Sequence, residues 1–495
     1  MQRDWRDDRI EELERQLAER DRIIESQRAQ IEALTARVAA LEALVVKLTE
    51  KANRNSNNSS KPPSSDGPAK LKHRKKKRSG RKPGGQPGHD KHARELLPVD
   101  QVDNLTVVKP DQCERCAEPL TKFDSYPQRH QWFELPFAKP IAHEADVHSG
   151  WCNKCQWWTH GQLPDGVPTR AFGPTVDATV GVLMGVYRLS KRSVAAIMGE
   201  LFGLRMSLGA VVDCQRSVSD ALEKPVDEAL AHVQQQPIKN ADETSWPQGD
   251  KRAWLWTVVT ARVTVFMIQA SRGADAARAI LGKAFGILGT DRYAGYAWWP
   301  TFLRQVCWSH LIRDITAISE RGGESERIGK ALLQEAGQMF TWWHRLQEGK
   351  LTRASFQQYM GPLRKRVKRV LQEGTGATQE KTAGTCSKIL KLFPALWTFV
   401  RVEGVEPTNN VSEQTVRHGV IYRKISYGTH SEWGSRFVER ILTVHATCKQ
   451  QSRSVLQFVH ECCEAKLKNG PAPSLLPGEA DSPLHSAQPA LSAAA

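Results

Sequence analysis

A seven-residue repeat of apolar side chains runs through the first 50 residues and constrains the fold more tightly than any other feature. Ten of its twelve seam positions are apolar over six repeats, with no proline or glycine, a pattern typical of a coiled coil. Arg20 and Gln27 interrupt the seam and could fix its register. Mostly β-branched residues at position a and leucine at position d favour a parallel dimer. A single helix packed on its own domain is the alternative. Position a holds Ile10, Leu17, Ile24, Ile31, Val38 and Val45, and position d holds Leu13, Arg20, Gln27, Leu34, Leu41 and Leu48.

Composition narrows the class of protein. The 495 residues are enough for about three domains. The formal net charge of +16 suits a polyanionic partner. No run of 18 apolar residues is present and the first residues are charged, so we expect neither a membrane span nor a signal peptide. Ten cysteines are too few for a disulfide scaffold and fit a reducing, cytoplasmic compartment. Membrane proteins, secreted disulfide proteins and acidic disordered chains are therefore excluded.

A polar segment, 51–92, follows the repeat and contains a basic run. Residues 53–66 are rich in Asn, Ser and Pro and offer too little apolar surface to fold alone. The run Lys70–Lys82 has nine basic residues and no acid. It is either a solvated linker or an arm that binds nucleic-acid phosphates. Its DNA-binding candidates are Lys70, Lys72, Arg74, Lys75, Lys76, Lys77, Arg78, Arg81 and Lys82.

Two CxxC pairs lie between residues 100 and 165. Cys113, Cys116, Cys152 and Cys155 could supply the four thiolates of a closed, tetrahedral structural zinc site. The 35 residues between the pairs exceed the usual spacing, so the intervening stretch is expected to be an inserted loop or hairpin. Four reduced cysteines without a metal are the alternative.

Residues 174–235 are predicted to be helical. The segments Thr175–Tyr187 and Lys191–Leu201 have helical patterns, and Gly203 then breaks the second. Ser207 could cap a helix that starts at about Leu208. Helix, glycine-containing turn and helix is the outline of a DNA-reading unit, although most such pairs are merely packed together.

The pattern changes to short strands at Pro237. Strands are predicted at Ile238–Thr244, Ala253–Thr260, Val263–Ala270, Gly286–Asp291 and Gln305–Ser309, with a helix at Ala274–Phe285 and a hairpin between the second and third strands. Three strands, helix, strand, helix and strand is the order of a ribonuclease-H-like mixed sheet. A helical insertion follows, then a last helical segment and a tail rich in Pro, Ala, Ser and Gly that is expected to be disordered.

Three acids stand at the ends of predicted elements. Asp242 ends the first strand, Asp291 ends the fourth, and Glu413 lies near the start of a helix. Ligand groups converge at strand ends, and grouped carboxylates repel one another unless cations bind. Hard oxygen ligands select Mg²⁺ or Mn²⁺. Two such ions suit phosphodiester displacement.

Several neighbours of the acids are further candidates. Glu243 competes with Asp242, but adjacent strand residues point to opposite faces, so only one of them should face a metal, and we choose Asp242. His310 could bond a phosphate or a catalytic carboxylate, or be structural. Arg313 and Asn410 are the other auxiliary candidates. Arg417 lies one helical turn after Glu413 and could reach the same site.

The sequence resembles the insertion-sequence 66 family of bacterial transposases over residues 10–465. The shared motifs are the N-terminal repeat, the runs at 58–66 and 81–89, the two CxxC pairs, Ala-Asp-Glu-Thr at 241–244, Asp-Arg-Tyr-Ala-Gly-Tyr at 291–296 and Pro-Thr-Asn-Asn-x-x-Glu at 407–413. By this resemblance Asp242, Asp291 and Glu413 fall on the family's Asp-Asp-Glu catalytic triad. The residues after Glu413, Gln-Thr-Val-Arg, depart from the usual pattern, which affects details of DNA contact.

The resemblance implies a DNA transposase in a multidomain α+β protein. It would use two Mg²⁺ (or Mn²⁺) ions at the three acids and a structural Zn²⁺. It would bind inverted-repeat ends and target DNA, as a homodimer or higher assembly, with small accessory transposition proteins as plausible partners and no membrane. A bacterial cytoplasm, with the protein nucleoid-associated when bound to DNA, is the expected location. The expected domains are a coiled coil (1–50), a basic linker or arm (51–99), a zinc-ribbon-like module (100–170), a helical region (171–236), a ribonuclease-H-like mixed α/β catalytic core (237–465) with a helical insertion at about 315–405, and a disordered tail (466–495).

Two alternatives use the same features. A ribonuclease-H-like fold also serves metal-dependent nucleases and resolvases that lack strand transfer. The coiled coil, basic arm and zinc module would serve a non-catalytic, dimeric DNA-binding regulator equally well.

Overall fold

The computed structural model describes residues 5–54, 59–61 and 95–478. The basic run at 70–82 and the last residues, 479–495, lie outside this range. The chain divides into two compact units. The first comprises residues 1–71, 230–246 and 251–420, and the second comprises 72–229, 247–250 and 421–495. Within the described ranges, no helix combines the length and the apolar character needed to cross a membrane.

The N-terminal repeat forms one uninterrupted helix, α1 (Trp5–Asn53), which confirms the predicted helix. Its ten apolar seam side chains are 46% to 65% exposed. They are therefore not buried against the chain's own domain, as the alternative interpretation required. The coiled-coil dimer itself stays a prediction.

A five-stranded mixed sheet forms the centre of the first unit. Its strands are β3 (Ile238–Gln248), β4 (Lys251–Val259), β5 (Thr264–Gln269), β6 (Ile287–Thr290) and β7 (Arg304–Val306), in the spatial order β5-β4-β3-β6-β7. The β4–β5 pair is antiparallel, whereas β3–β6 and β6–β7 are parallel. The predicted strands and hairpin are thus confirmed, with shifted ends. Helix α6 (Ala274–Leu281) ends earlier than predicted because Gly282 adopts a positive φ of 69°, which takes the backbone out of the helical conformation.

Two details of the predicted sheet are wrong. Asp242 does not end its strand, because β3 continues to Gln248. Polar residues are tolerated in this central strand because they form hydrogen bonds, as the Glu243 carboxylate does with Arg272 and Tyr296. The connection from β6 to β7, all of which is described, contains two three-residue 3₁₀ helices, 294–296 and 301–303, in place of an α-helix. Thirteen residues that include Gly295 and Pro300 leave little room for a full helix between parallel neighbours.

Helices follow the sheet in the first unit. They are α7 (Trp308–Ser319), α8 (Gly323–Gln347), α9 (Arg353–Thr375), α10 (Glu380–Lys391), α11 (Thr398–Arg401) and α12 (Asn410–Ser426). The helices α7 to α11 and the residues beside them enclose one core that includes Trp308, Leu332, Phe356, Trp397 and Phe399, whereas α12 continues past residue 420 into the second unit. These helices form a layer beside β7, and in the sequence most of them lie between Asp291 and Glu413.

The second unit is mainly helical and has a small hairpin. It contains β1 (Ser149–Cys152), β2 (Trp157–His160), α2 (Pro174–Gly185), α3 (Lys191–Phe202), α4 (Leu208–Ala221), α5 (Glu223–Gln234, whose end reaches the first unit), α13 (Glu432–Gln450) and α14 (Val455–Leu467). The predicted turn is confirmed at Gly203, which has φ of 65°, and Ser207 caps α4 by accepting the Ala210 N–H. Val211, Val218, Phe437 and Phe458 are among its buried side chains.

Two segments expected to lack structure are partly packed. The tail does not become disordered at 466, since Leu475 is fully buried and its carbonyl accepts a hydrogen bond from Gln451 Nε2 at 3.0 Å. Within the polar segment, Ser59 is buried, and Ser60 donates through its backbone N–H and its hydroxyl to the Glu320 carboxylate, both at 2.9 Å. Charge-assisted hydrogen bonds replace the missing apolar surface there.

Candidate active site

The sheet register brings the first two acids to the same level. Strands β3 and β6 are adjacent and parallel, with Asn240 opposite Gly289. Asp242 and Asp291 each lie two residues further along the chain. A side chain on residue 289 would collide with the Asn240 amide, since an added Cβ would lie 2.9 Å from its Nδ2. Glycine at this position therefore permits the close pairing that aligns the two acids.

Asp242 senses the charges of both other acids. Burial, the neighbouring Glu243 and the charges of Asp291 and Glu413 together raise the pKa of Asp242 to about 8. Among the described residues, however, the three do not place one oxygen each within 4.8 Å of one another. They form a loose group of acids in which Asp242 is protonated at neutral pH unless a cation compensates the repulsion.

Glu413 is positioned through a buried residue, Asn409. The Asn409 side chain donates to the Ala241 carbonyl at 2.8 Å and accepts from Asn240 Nδ2 at 2.9 Å. Its backbone N–H donates to Cys307 Sγ at 3.1 Å, and its carbonyl accepts the Glu413 N–H at 3.2 Å. Asn409 thus attaches the first turn of α12 to the strand that carries Asp242.

Glu243 is occupied by other partners. Its Oε1 accepts from Arg272 Nε at 2.9 Å and Nη2 at 2.7 Å, and its Oε2 accepts the Tyr296 hydroxyl. Burial raises the pKa of Glu243, while the bonds from Tyr296 and Arg272 oppose the shift. The Arg272 guanidinium also lies 3.9 Å from the centre of the Tyr293 ring. Glu243 therefore ties the block at 291–296 to β3.

Asp291 is fixed from two sides. Its Oδ1 accepts the Tyr293 backbone N–H at 2.9 Å. Arg304, a buried residue of β7, donates through Nη2 to Thr290 Oγ1 at 3.1 Å and to the Asp291 carbonyl at 3.2 Å. Burial lowers the pKa of Arg304, and the charge of Asp291 opposes the shift. The buried arginine holds the end of β6 in place.

A cysteine and a histidine lie against the third acid. Cys307 Sγ is 3.9 Å and His310 Nδ1 is 3.3 Å from Glu413 Oε1. One ligand atom from each of the three residues lies within 4.8 Å of the others. Burial and the charge of Arg313 lower the pKa of His310, although Glu413 opposes the shift. The imidazole is therefore neutral at pH 7.

The remaining candidate residues near Glu413 are exposed or half-buried. Asn410 is exposed, and its Oδ1 accepts from Ser309 Oγ at 3.3 Å. Arg417 is exposed one turn along α12, and Arg313 is half-buried on α7. The nine basic residues of the run at 70–82 fall outside the described part of the chain.

The two CxxC pairs form separate turns of the second unit. Backbone hydrogen bonds from Arg115 and then Cys116 lower the pKa of Cys113, and hydrogen bonds from Cys155 lower the pKa of Cys152. Within the described residues, no three of these four sulfur atoms lie within 4.8 Å of one another. The structure does not bring the pairs together, so the shared zinc site stays a prediction.

The helix pair presents mixed charge to solvent. Val211, Cys214 and Val218 of α4 are buried, whereas its Asp213 and Asp220 are exposed. Arg216 of the same helix is also exposed, and Asp220 pairs with Lys466 at 3.0 Å. The predicted DNA-reading role of this helix is untested.

Sequence reasoning missed the residues that hold the acids in place. Asn409, Arg272, Arg304 and Cys307 are not among the predicted site residues. A pair of asparagines after proline, at 407–410, is the local signal for the first. The two arginines carry no local signal, because only the fold shows what they contact.

Carboxylates grouped beside a mixed sheet are typical of enzymes that transfer phosphoryl groups with divalent cations. A family model described as Transposase IS66 family matches residues 172–437, more than half of the chain. The chain therefore belongs to the IS66 family of transposases, whose members act on DNA, as the sequence motifs predicted. A second model, for a family of unknown function (DUF6444), matches residues 14–95. No curated protein matches the chain.

Proposed function

We propose that this transposase cuts the ends of its element and joins them to target DNA at Asp242, Asp291 and Glu413, within a ribonuclease-H-like core. The observation that carries the proposal is the parallel register of β3 and β6 beside Asp242 and Asp291, together with the Asn409 bond that attaches the start of the Glu413 helix to β3; the raised pKa of Asp242 supports it. Asp291 and Glu413, which lie 49 and 171 residues further along the sequence, both raise the pKa of Asp242. Scattered surface carboxylates do not affect one another in this way.

The donor set fits Mg²⁺ or Mn²⁺. All three side chains offer hard carboxylate oxygens, and their mutual repulsion is relieved by cation binding. Asp242 would bind in its deprotonated form, with Asp291 and Glu413 as the other ligands. When bound, two such ions activate an attacking oxygen and stabilise the leaving one. Glu243 is excluded from this role in the proposal because Arg272 and Tyr296 occupy its oxygens.

The protein groups position the reacting strands. Asn409 and Arg304 keep two of the acids in place without contacting DNA. Exposed Arg417 lies one turn from Glu413 and would bind a phosphate on the approaching strand. Water and then a DNA 3′-hydroxyl would serve as successive nucleophiles, so no covalent protein–DNA bond is required.

The other modules would assemble the complex. The basic run at 70–82 would neutralise DNA phosphates, and α1 would pair two copies through its seam. The CxxC pairs would close on a structural Zn²⁺ if the second unit brings them together in solution. Small accessory proteins would complete the machinery.

The proposal is tested by incubating the full-length protein with Mg²⁺ and duplex DNA that carries the inverted repeats flanking its gene. We expect cleavage that frees 3′-hydroxyl ends and then joined products. Asp242→Asn and Glu413→Gln should each lower cleavage by roughly 100-fold or more, the scale of losing one preorganised electrostatic group, and should retain DNA binding in a gel-shift assay. Asp275→Asn, at an acid whose side chain is 99% exposed, is the matched control and should cleave normally.

The products separate the alternatives. Joined products support the transposase, whereas cuts that never lead to joining support the nuclease or resolvase. DNA binding by wild-type protein with no cleavage at any Mg²⁺ or Mn²⁺ concentration supports the regulator and contradicts the proposal.

A further inference from the structure

Cys307, His310 and Glu413 form a compact group of three different metal-ligand types. The separations of 3.9 Å from Cys307 Sγ to Glu413 Oε1 and 3.3 Å from His310 Nδ1 to the same oxygen resemble those around a zinc ion. Ligands 2.0–2.3 Å from a tetrahedral Zn²⁺ are about 3.3–3.8 Å apart. The third separation, from Cys307 Sγ to a ring nitrogen of His310, is within 4.8 Å.

The sulfur is surrounded by donors that suit a thiolate. Cys307 is the N-cap residue of α7, and its Sγ accepts the Asn409 backbone N–H at 3.1 Å. Burial raises the pKa of the Cys307 thiol in the absence of a metal, and backbone hydrogen bonds from Asn409, His310 and Ser309 oppose this shift. Amide donors aimed at one sulfur stabilise negative charge there, as they do around zinc-bound thiolates.

The three residues come from two helix starts that meet. Cys307 and His310 begin α7, and Glu413 lies in the first turn of α12. Asn409, fixed to β3, joins them. The ligands are therefore preorganised by buried backbone contacts, independently of the loose group formed by Glu413 with Asp242 and Asp291.

We propose that Cys307, His310 and Glu413 form a binding site for a thiophilic divalent cation such as Zn²⁺, and that an ion bound there withdraws Glu413 from the Mg²⁺ site. Sulfur and imidazole ligands favour Zn²⁺ over Mg²⁺. Three protein ligands leave a fourth position open to water. The ion site stands on its own geometry, and its inhibitory effect rests on the proposed function of Glu413.

Binding is tested with Zn²⁺ alone, counted by equilibrium dialysis on the full chain. Wild-type protein should bind one more ion per chain than Cys307→Ser, a difference that does not depend on what the CxxC pairs bind. Removal of one ligand should weaken the site by about tenfold or more. With Co²⁺ as a spectroscopic probe, part of the sulfur-to-cobalt charge-transfer absorption should disappear in Cys307→Ser.

Matched variants keep the test decisive. Cys386→Ser changes another fully buried cysteine of the same unit and should keep the extra ion. Asp242→Asn should keep it too, because Asp242 is not a ligand of this site. If Cys307→Ser does not fold, His310→Ala, at a side chain 27% exposed, replaces it. Equal ion counts in wild type, Cys307→Ser and His310→Ala would overturn the proposal.

Cleavage assays test the inhibition separately. Added Zn²⁺ should inhibit Mg²⁺-dependent cleavage by wild-type protein, and about tenfold more Zn²⁺ should be required for His310→Ala. Equal inhibition of both proteins would overturn the link to Glu413. If wild-type protein does not cleave DNA yet shows the one-ion difference, the proposed function fails and the ion site stands.

Discussion

Adjacent acids on β3 have opposite surroundings. Glu243 is compensated by Arg272 and by the Tyr296 hydroxyl, whereas Asp242 is flanked by further acids and its pKa rises to about 8. Alternation along the strand explains the difference, since successive side chains leave the sheet on opposite faces. On one face of the sheet Glu243 binds the block at 291–296, and on the other Asp242 lies near the charges of Asp291 and Glu413.

The Asp242 carboxyl should make metal-free stability depend on pH. The folded protein holds this proton more tightly than the unfolded chain does, because the ordinary pKa of an aspartate carboxyl is 3.8. The protonated carboxyl therefore contributes its full stabilisation of the folded state below pH 3.8, and this stabilisation is lost as the pH rises through about 8. Between pH 5 and 8.5 in a chelator, the melting temperature of wild-type protein should therefore fall more than that of Asp242→Asn.

Magnesium should reverse this effect. At pH 8 the cation should raise the melting temperature of wild-type protein and leave Asp242→Asn nearly unchanged, because binding stabilises the folded state only. Differential scanning calorimetry of both proteins measures the two effects. Parallel pH profiles with equal responses to Mg²⁺ would contradict the placement of Asp242 in a cation site.

At the scale of elements, the start of α12 is held by one buried asparagine. Asn409 bridges the Ala241 carbonyl, the Asn240 amide and Cys307 Sγ. The helix that carries Glu413 therefore has a defined position relative to β3 and to α7. Residue 409 acts as a positioning residue, because it contacts the elements that carry the acids and not the reacting atoms.

Replacement of Asn409 should affect both stability and cation use. Asn409→Ala leaves buried partners unsatisfied and should lower the free energy of unfolding by roughly 1–3 kcal/mol. It should also raise the Mg²⁺ concentration for half-maximal cleavage, measured well below the melting temperature. Asn410→Ala, at the exposed neighbour, should change stability by less than about 0.5 kcal/mol. An unchanged Mg²⁺ requirement for Asn409→Ala would reduce Asn409 to a purely structural residue.

Periodicity and local signals predicted the elements well. The seam of α1, the β4–β5 hairpin and the turn at Gly203 follow from residue spacing alone. The site was harder to predict, because Arg272 and Arg304 gain their roles only when distant segments meet. The length of β3 was also misjudged, since the polar residues after Asp242 resemble a turn until their partners are known.

At the scale of the whole molecule, α1 carries a long apolar stripe that the described part of a single chain leaves exposed. Its ten seam side chains are all at least 46% exposed. Burial of leucine or isoleucine is worth about 1.5–3 kcal/mol per side chain. A second copy of the same helix would cover the stripe in a parallel arrangement.

Charge on the seam should prevent this pairing. Leu34→Glu combined with Leu41→Glu should change the full-length protein from dimer to monomer in sedimentation experiments, since four buried leucines per dimer become charged. Ala36→Glu combined with Ala43→Glu alters positions outside the seam and should leave the dimer intact. A dimer in both double variants would refute the coiled coil while leaving the first unit's sheet unaffected.

The two hydrogen bonds from Ser60 to the Glu320 carboxylate fix the position of the chain shortly before the basic run. Glu320 ends α7, a helix about 18 Å long that begins beside Cys307 and Glu413. Lys70 follows Lys61 by nine residues, a span of about 30 Å at most. If the run binds DNA as proposed, the length of chain between Lys61 and Lys70 would keep that DNA tethered to the first unit. Its effective local concentration would be millimolar, so capture of a strand anywhere along the arm would make the encounter with Glu413 nearly intramolecular.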